Sequence, residues 1–142
     1  MREQKTVQLL HVEDDTLCLM GLSRAFKAAN IANPVCFAHD GIEALEMLRG
    51  TNGRPRLPRP FLILLDLNMP RMDGIHLVMA IRADPDLHET IIFILTTSSR
   101  AEDKNAAYKL NVSGYILKER AGDDFLKLFS LVDSYWRIVE MP

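Results

Sequence analysis

Four groups of side chains, each at the end of an apolar run, have the types needed to hold a cation and take up a phosphoryl group. They are the acids of "HVEDD" (11–15), Asp66 in "LLDLNMPRMDG" (64–74), Thr96 in "TTSS" (96–99) and Lys118 after "GYIL" (114–117). If Glu13, Asp14 and Asp66 converge, three carboxylates cannot all stay ionised without compensating cations, because like charges raise one another's pKa. A divalent ion and Lys118 together cancel the three negative charges. Oxygen-only ligands select a hard ion, and a few carboxylates with waters and a substrate phosphate commonly hold Mg2+. Asp66 is then left as a nucleophile, since a carboxylate attacking phosphorus gives an aspartyl phosphate. The ion and Lys118 would spread the charge of the transferring group, and the Thr96 hydroxyl would hydrogen-bond one of its oxygens. Acids that follow strands also cap helices, and that role alone would account for Asp14 or Asp15. It does not account for Asp66, because Pro70 and Gly74 already supply the turn.

The elements that must position these groups are legible as alternating patterns. "VQLLHV" (7–12), "VCFA" (35–38), "FLILL" (61–65), "IIFIL" (91–95) and "GYIL" (114–117) read as strands, several of them apolar without alternation. Such runs belong to parallel strands covered on both faces. Helical stretches are expected at about 15–30, 41–50, 74–84, 101–111 and 122–140, the third stopped by Pro85. Five βα units predict an α/β, doubly wound, five-stranded parallel sheet with five helices. Ligands of such sheets bind beyond the carboxyl ends of the strands, which is where all four groups fall. The segment "RGTNGRPRLPRP" (49–60) reads as an exposed loop within one domain, its arginines more readily explained by solvation than by docking.

Composition removes other classes. At 142 residues and a net charge of -2, the chain suits one domain and lacks the basic footprint of a nucleic-acid binder. No apolar run approaches the roughly 20 residues of a membrane span, and the N-terminus has no signal-peptide stretch, so a cytoplasmic address is expected. Cys18 and Cys36 make no disulfide framework or metal spacing and read as core residues. His11, His39, His76 and His88 have no metal-ligand spacing, and His11 reads as a satisfied core or rim histidine. The methionines read as packing residues.

Taken jointly, these segments resemble the receiver domains of two-component response regulators over nearly the whole chain, 1–142. "HVEDD" is similar to the family's acidic pair, "LLDLNMPRMDG" to its phosphoacceptor strand and loop, "ILTTSS" to its switch strand and "GYILK" to its aromatic and lysine segment. Asp66 stands 30 residues before Thr96 and 52 before Lys118, as in chemotaxis-type receivers. The resemblance implies a flavodoxin-like fold, with Asp66 as phosphoacceptor and Glu13, Asp14, Asp66 and the backbone carbonyl of Asn68 around Mg2+, Asp14 the more direct ligand. It implies Thr96 as the switch hydroxyl, Tyr115 as the aromatic that turns with it, and Lys118 as the salt-bridge partner. It also implies a histidine kinase as donor. The chain would be no enzyme but a phosphoacceptor that takes part in its own phosphotransfer and dephosphorylation. With no effector domain expected, output would pass through another protein, a dimer or competition for phosphoryl groups. Two departures matter. Lys118 is followed by Glu119 where receivers usually have a cis proline, which puts the reach of Lys118 in question. The 49–60 loop and the tail "SYWRIVEMP" resemble single-domain regulators that partner bacterial phytochrome histidine kinases.

Rival readings explain less. Haloacid-dehalogenase-type phosphatases use a DxD motif whose second acid moves a proton, and the amide in Asp66-Leu67-Asn68 cannot. A flavodoxin-like cofactor binder would leave the three acids without a task, and a degenerate receiver would lack groups that are present here. The last helix carries an apolar stripe of Phe125, Leu128, Phe129, Val132, Tyr135, Trp136 and Val139, widened by Leu131 and Ile138. That arc exceeds the ~100° a core-facing helix requires. A symmetric homodimer is therefore expected, pairing Leu131, Tyr135 and Ile138 with their own copies.

Overall fold

The apolar runs become the strands of a single parallel sheet in a computed structural model, which describes residues 6–120 and 126–142. In chain order the elements are β1 (Gln8–Val12), α1 (Thr16–Ala28), β2 (Val35–Ala38), α2 (Gly41–Arg49), β3 (Phe61–Leu65), α3 (Gly74–Ala83), β4 (Ile91–Thr96), α4 (Ala101–Lys109), β5 (Gly114–Leu117) and α5 (Leu126–Ile138). The strand order is β2-β1-β3-β4-β5. The order reverses between β1 and β3, the position at which such sheets open a crevice above their carboxyl ends. The expected elements are all present. β1 begins one residue later and β4 runs one residue further than the sequence pattern predicts, and the start of the last expected helix, 122–125, lies outside the described residues.

Alternate side chains of each strand enter two separate cores. Leu10, Val12, Ile63, Leu65, Ile92 and Ile94 pack under α2 and α3. Leu9, Leu62, Leu64, Phe93 and Leu95 pack under α1 and α5 with Cys18, Leu22, Leu128, Val132 and Trp136. All five residues of β3 are buried, as its unbroken apolar sequence requires.

Three helices begin on aspartates that accept a hydrogen bond from the first turn: Asp15 from Leu17 N, Asp40 from Glu43 N and Asp73 from His76 N. Asp15 therefore takes the capping role that sequence left open between it and Asp14. Far from the strand tips, the half-buried Arg82 guanidinium donates to the carbonyls of Leu110, His88, Thr90 and Asn111. It fastens the end of α3 to the turns entering β4 and β5, a role that a lone arginine in a helix does not announce. In the 49–60 loop, Thr51–Arg56 are exposed, with Arg54 ion-paired to Glu43 and Glu46, while Leu57 is buried and Arg59 lies over the Phe61 ring.

On α5, Leu128, Val132 and Trp136 face the core and Trp136 meets Phe26 edge to face. Phe125 and the side chain of Phe129 lie outside the described residues. Leu131 and Ile138 are 42% and 82% exposed, as the widened stripe predicts. Tyr135, between them on the helix, is half-buried with its ring edge-on to Phe93, 5.0 Å between centroids.

Candidate functional site

The strand register brings the acids together. Asp66 N donates to Val12 O at 3.0 Å and Glu13 N to Ala38 O at 2.9 Å, so β1, β2 and β3 end in step and the residues just beyond them share one crevice. Glu13, Asp14 and Asp66 each offer an oxygen within 4.8 Å of the others. Glu13 is fully buried, Asp66 nearly so, and Asp14 exposed at the mouth. From the end of β5, Lys118 reaches in to place Nζ 2.5 Å from Glu13 Oε1 and 3.6 Å from Asp66 Oδ2. Among the described residues the one cis peptide is Arg59–Pro60, so the Lys118–Glu119 bond is trans. A short 3-10 turn at Lys118–Arg120 carries the lysine inward without a proline.

The Asp66 loop is fixed by close packing. A Cβ on Gly74 would stand 2.5 Å from Asp66 O and 2.7 Å from Leu67 Cα, so only glycine lets α3 start this near the strand end. Gly74 N donates to Leu67 O at 2.9 Å. On the other side, Gly41 lies against Met72, and Arg71, in left-handed conformation at φ 66°, ion-pairs with Asp40 at 3.3 Å. Asn68 is exposed, and its backbone N donates to Asp66 Oδ1 at 3.4 Å.

Thr96 is fully buried at the end of β4, one strand from Asp66, and its Oγ1 accepts from Ser98 N at 3.3 Å. Tyr115 is half-buried, and its hydroxyl donates to Ser98 O at 2.8 Å. Ser98 Oγ donates to Asp103 at 2.5 Å. One residue of the β4–α4 loop thus touches the strand-end threonine, the tyrosine and α4.

Electrostatics mark the cluster as short of positive charge. Burial, then the neighbouring Asp66, push the Glu13 carboxyl up from 4.5 to about 7, against the pull of Lys118. Burial draws the Lys118 ammonium down, but Glu13 and the Asp66 charge outweigh it and the net shift is upward. Lys118 alone therefore does not balance three acids. An all-oxygen set, two buried and one open to solvent, fits a hard divalent cation at the mouth.

Behind Glu13 lies a constellation that the sequence did not reveal. His11, two residues earlier on β1, is 1% exposed and neither ring nitrogen has a hydrogen-bond partner. It is buried but not satisfied, contrary to the sequence expectation. Burial, then Lys118, depress its pKa from 6.5 to about 3, so the ring is neutral. Cys18, at the start of α1, is also buried, and burial followed by Glu13 pushes its thiol up to about 12. A β-strand period placing His11 and Glu13 on one face was the available signal, but the residue on α1 that meets them is set by packing.

Relatives of the chain are numerous. Over 128 residues it is 34% identical to response regulator Rcp1 of Synechocystis sp., an alignment covering 90% of this chain and 87% of that protein. The crystal structure of the Mn2+-bound form of Rcp1 superposes with a TM-score of 0.85 at 33% identity, over 97% of this chain and 99% of the other. The phosphorylated cyanobacterial phytochrome response regulator RcpA superposes with a TM-score of 0.82 at 29% identity, over 95% and 97% of the two chains. Residues 9–130 match the response regulator receiver domain, and the chain belongs to that family.

Proposed function

We propose that residues 1–142 act as one receiver domain that accepts a phosphoryl group from a histidine kinase onto Asp66 when Mg2+ is bound, then signals through an altered surface. The observation that carries this reading is the convergence of Glu13, Asp14, Asp66 and Lys118 at one sheet end. Glu13, Asp14, Asp66 and the Asn68 carbonyl are the proposed Mg2+ ligands. When bound, the ion neutralises charge on the acids and on the incoming phosphoryl oxygens.

The remaining chemistry belongs to the chain. A carboxylate oxygen of Asp66 forms the new P–O bond as the bond from phosphorus to the donor nitrogen breaks, its electron pair leaving with the imidazole. Lys118 Nζ, already between Glu13 and Asp66, pairs with a phosphoryl oxygen. The Thr96 hydroxyl gives up its contact with Ser98 N to donate to another. Ser98 also holds the Tyr115 hydroxyl, so this exchange loosens the tyrosine and shifts the face formed by α4, β5 and α5. The later loss of the phosphoryl group to water would take place at the same residues, without an external substrate.

The likeness to Rcp1 and RcpA supports a phytochrome-type histidine kinase as the donor. Such a kinase draws on ATP, which supports a cytoplasmic address for the proposed reaction. Exposed Leu131 and Ile138 support a homodimer through α5, with the half-buried Tyr135 between them on the proposed face. Light scattering at high micromolar concentration should show a dimer that Leu131→Glu with Ile138→Glu converts to a monomer; a wild-type monomer rejects the pairing. The phosphorylation test is mass spectrometry after acetyl phosphate treatment. One phosphoryl group should appear with Mg2+, and none with excess chelator or in Asp66→Asn. Equal labelling of Asp66→Asn would end the reading.

A further inference from the structure

His11, Glu13 and Cys18 have no shared task in phosphoryl transfer, yet their ligand atoms, a ring nitrogen, a carboxylate oxygen and a thiol sulfur, all lie within 4.8 Å of one another. We propose that they form a second metal site, for a borderline-soft divalent ion of the Zn2+ class, which competes with the outer acid cluster for Glu13.

Chain geometry builds the site. His11 lies on β1 and Glu13 follows one residue past its end, two positions on, so that both project from the same face. The Asp15 cap starts α1 so that Cys18, in its first turn, packs against that face. Tetrahedral Zn2+ with ligands at about 2.0 to 2.3 Å sets neighbouring donors roughly 3.6 Å apart, so no pair of donors, all within 4.8 Å, needs to close by more than about 1.2 Å. His11 supplies the independent observation. Its strand partners in register are the apolar Phe37 and Leu64, and both its nitrogens lack a partner although the residue is 1% exposed. An apolar residue would fill this place without leaving a polar atom unsatisfied. A metal ion satisfies one nitrogen directly.

The donor chemistry separates the two sites. Nitrogen and sulfur ligands favour Zn2+ and reject Mg2+, whereas the all-oxygen set of three carboxylates suits Mg2+. On binding, the thiol proton of Cys18 leaves to solvent as the sulfur–metal bond forms. Thiolate and Glu13 carboxylate then balance the two charges of the ion, and water takes the fourth position. Asp14, next to Glu13, is exposed, and an ion would enter from that side. Because Glu13 cannot serve both ions with its full strength, each metal lowers the affinity of the other by the same factor. That competition rests on the proposed role of Glu13 toward Mg2+; the inner site itself does not.

The probe is Co2+ added to the metal-stripped full chain, followed by absorption spectroscopy. Binding at Cys18 gives a thiolate-to-Co2+ charge-transfer band in the near ultraviolet at one ion per chain, bleached by stoichiometric Zn2+. The band should persist in Cys36→Ser and in Asp14→Asn with Asp66→Asn. It should vanish in Cys18→Ser, and His11→Leu should weaken Co2+ binding at least tenfold, with wild-type circular dichroism showing that both variants are folded. If Cys18→Ser fails to fold, His11→Leu decides. No band in the wild type, a band that survives Cys18→Ser, or a band lost with the Asp14 and Asp66 substitutions overturns the inner site. A band that behaves as expected while Zn2+ leaves Mg2+ affinity unchanged keeps the site and overturns the sharing of Glu13.

Discussion

Replacing His11 with leucine should stabilise the metal-free protein, and by more in acid than in base. The residue stands in the core beneath α1, 1% exposed, with two ring nitrogens that find no partner. Removing an unsatisfied buried polar group while keeping the volume filled is worth about 1–3 kcal/mol at pH 8, where the ring is neutral in both folded and unfolded chains. At pH 5 a second effect adds to it. The folded pKa is about 3 against an ordinary histidine value of 6.5, so the unfolded wild type takes up a proton that the folded state refuses. Stability present above pH 6.5 is lost as the pH falls toward 3, and by pH 5 the loss reaches about 2 kcal/mol. Leucine has no such loss. Glu13 shifts in the opposite sense, from 4.5 to about 7, so metal-free stability falls as pH rises through that window. It is present in both proteins and drops out of their difference. Urea unfolding with chelator present, followed by the fluorescence of the single, buried Trp136, measures both effects. The gain from His11→Leu should grow by about 2 kcal/mol between pH 8 and pH 5. A net loss of stability, or a gain equal at the two pH values, would mean that the imidazole is satisfied in the folded protein and the reasoning is wrong.

Three further substitutions probe the site from other directions, and a fourth probes the loop that holds it. Lys118→Met leaves Glu13 and Asp66 facing each other without their cation and should destabilise the metal-free protein by about 3–5 kcal/mol; millimolar Mg2+ should recover part of the loss in a thermal melt. Asp15→Ala removes the α1 cap, for about 1 kcal/mol, and should keep the stabilisation by Mg2+. Asp14→Ala should do the reverse, with little change in the metal-free melt and no stabilisation by Mg2+. Gly74→Ala drives a Cβ into the backbone of Asp66 and Leu67. It should lower the melting temperature by several degrees, roughly 2–4 °C for each kcal/mol lost, and unchanged melting would show that α3 can back away from the strand.

The elements were legible because their signals are local. Several apolar runs without alternation read as strands covered on both faces, and the acids that follow β1 stand where a helix cap stands. The outer site was legible for the same reason, since residues just past parallel strands arrive together whatever the details of packing. What the sequence withheld depends on contacts between distant segments. Nothing in "VQLLHV" says whether an imidazole at position 11 meets a partner, because the answer lies on α1 and in Leu64. Arg82 looks like any helix arginine until the turns before β4 and β5 bring four carbonyls around it. Tyr135 falls on both the core stripe and its outer edge by helical period, and its ring contact with Phe93 depends on where the sheet lies.

The acid cluster and the sheet that carries it have opposed requirements, and their conflict explains how so small a chemical change can be felt across the domain. Burying Glu13 completely and Asp66 nearly so is unfavourable unless positive charge is supplied, and Lys118 supplies only one unit. The metal-free cluster is therefore poised, with Glu13 titrating near 7. A cation or a phosphoryl group entering this crevice changes the charge that Lys118 must balance. Lys118 directly follows β5, the strand that carries Tyr115. Tyr115 in turn is joined through Ser98 to Thr96 and, by way of Asp103, to α4. The two ends of this path, the lysine and the threonine, are the groups proposed to hold the phosphoryl oxygens. On that proposal both ends would be drawn toward the crevice by the same event, and the Ser98 contacts between them could not all be kept. The loop before α4 would then be the element with two arrangements, its preference set by the charge in the crevice rather than by any contact that a ligand makes with α4 itself.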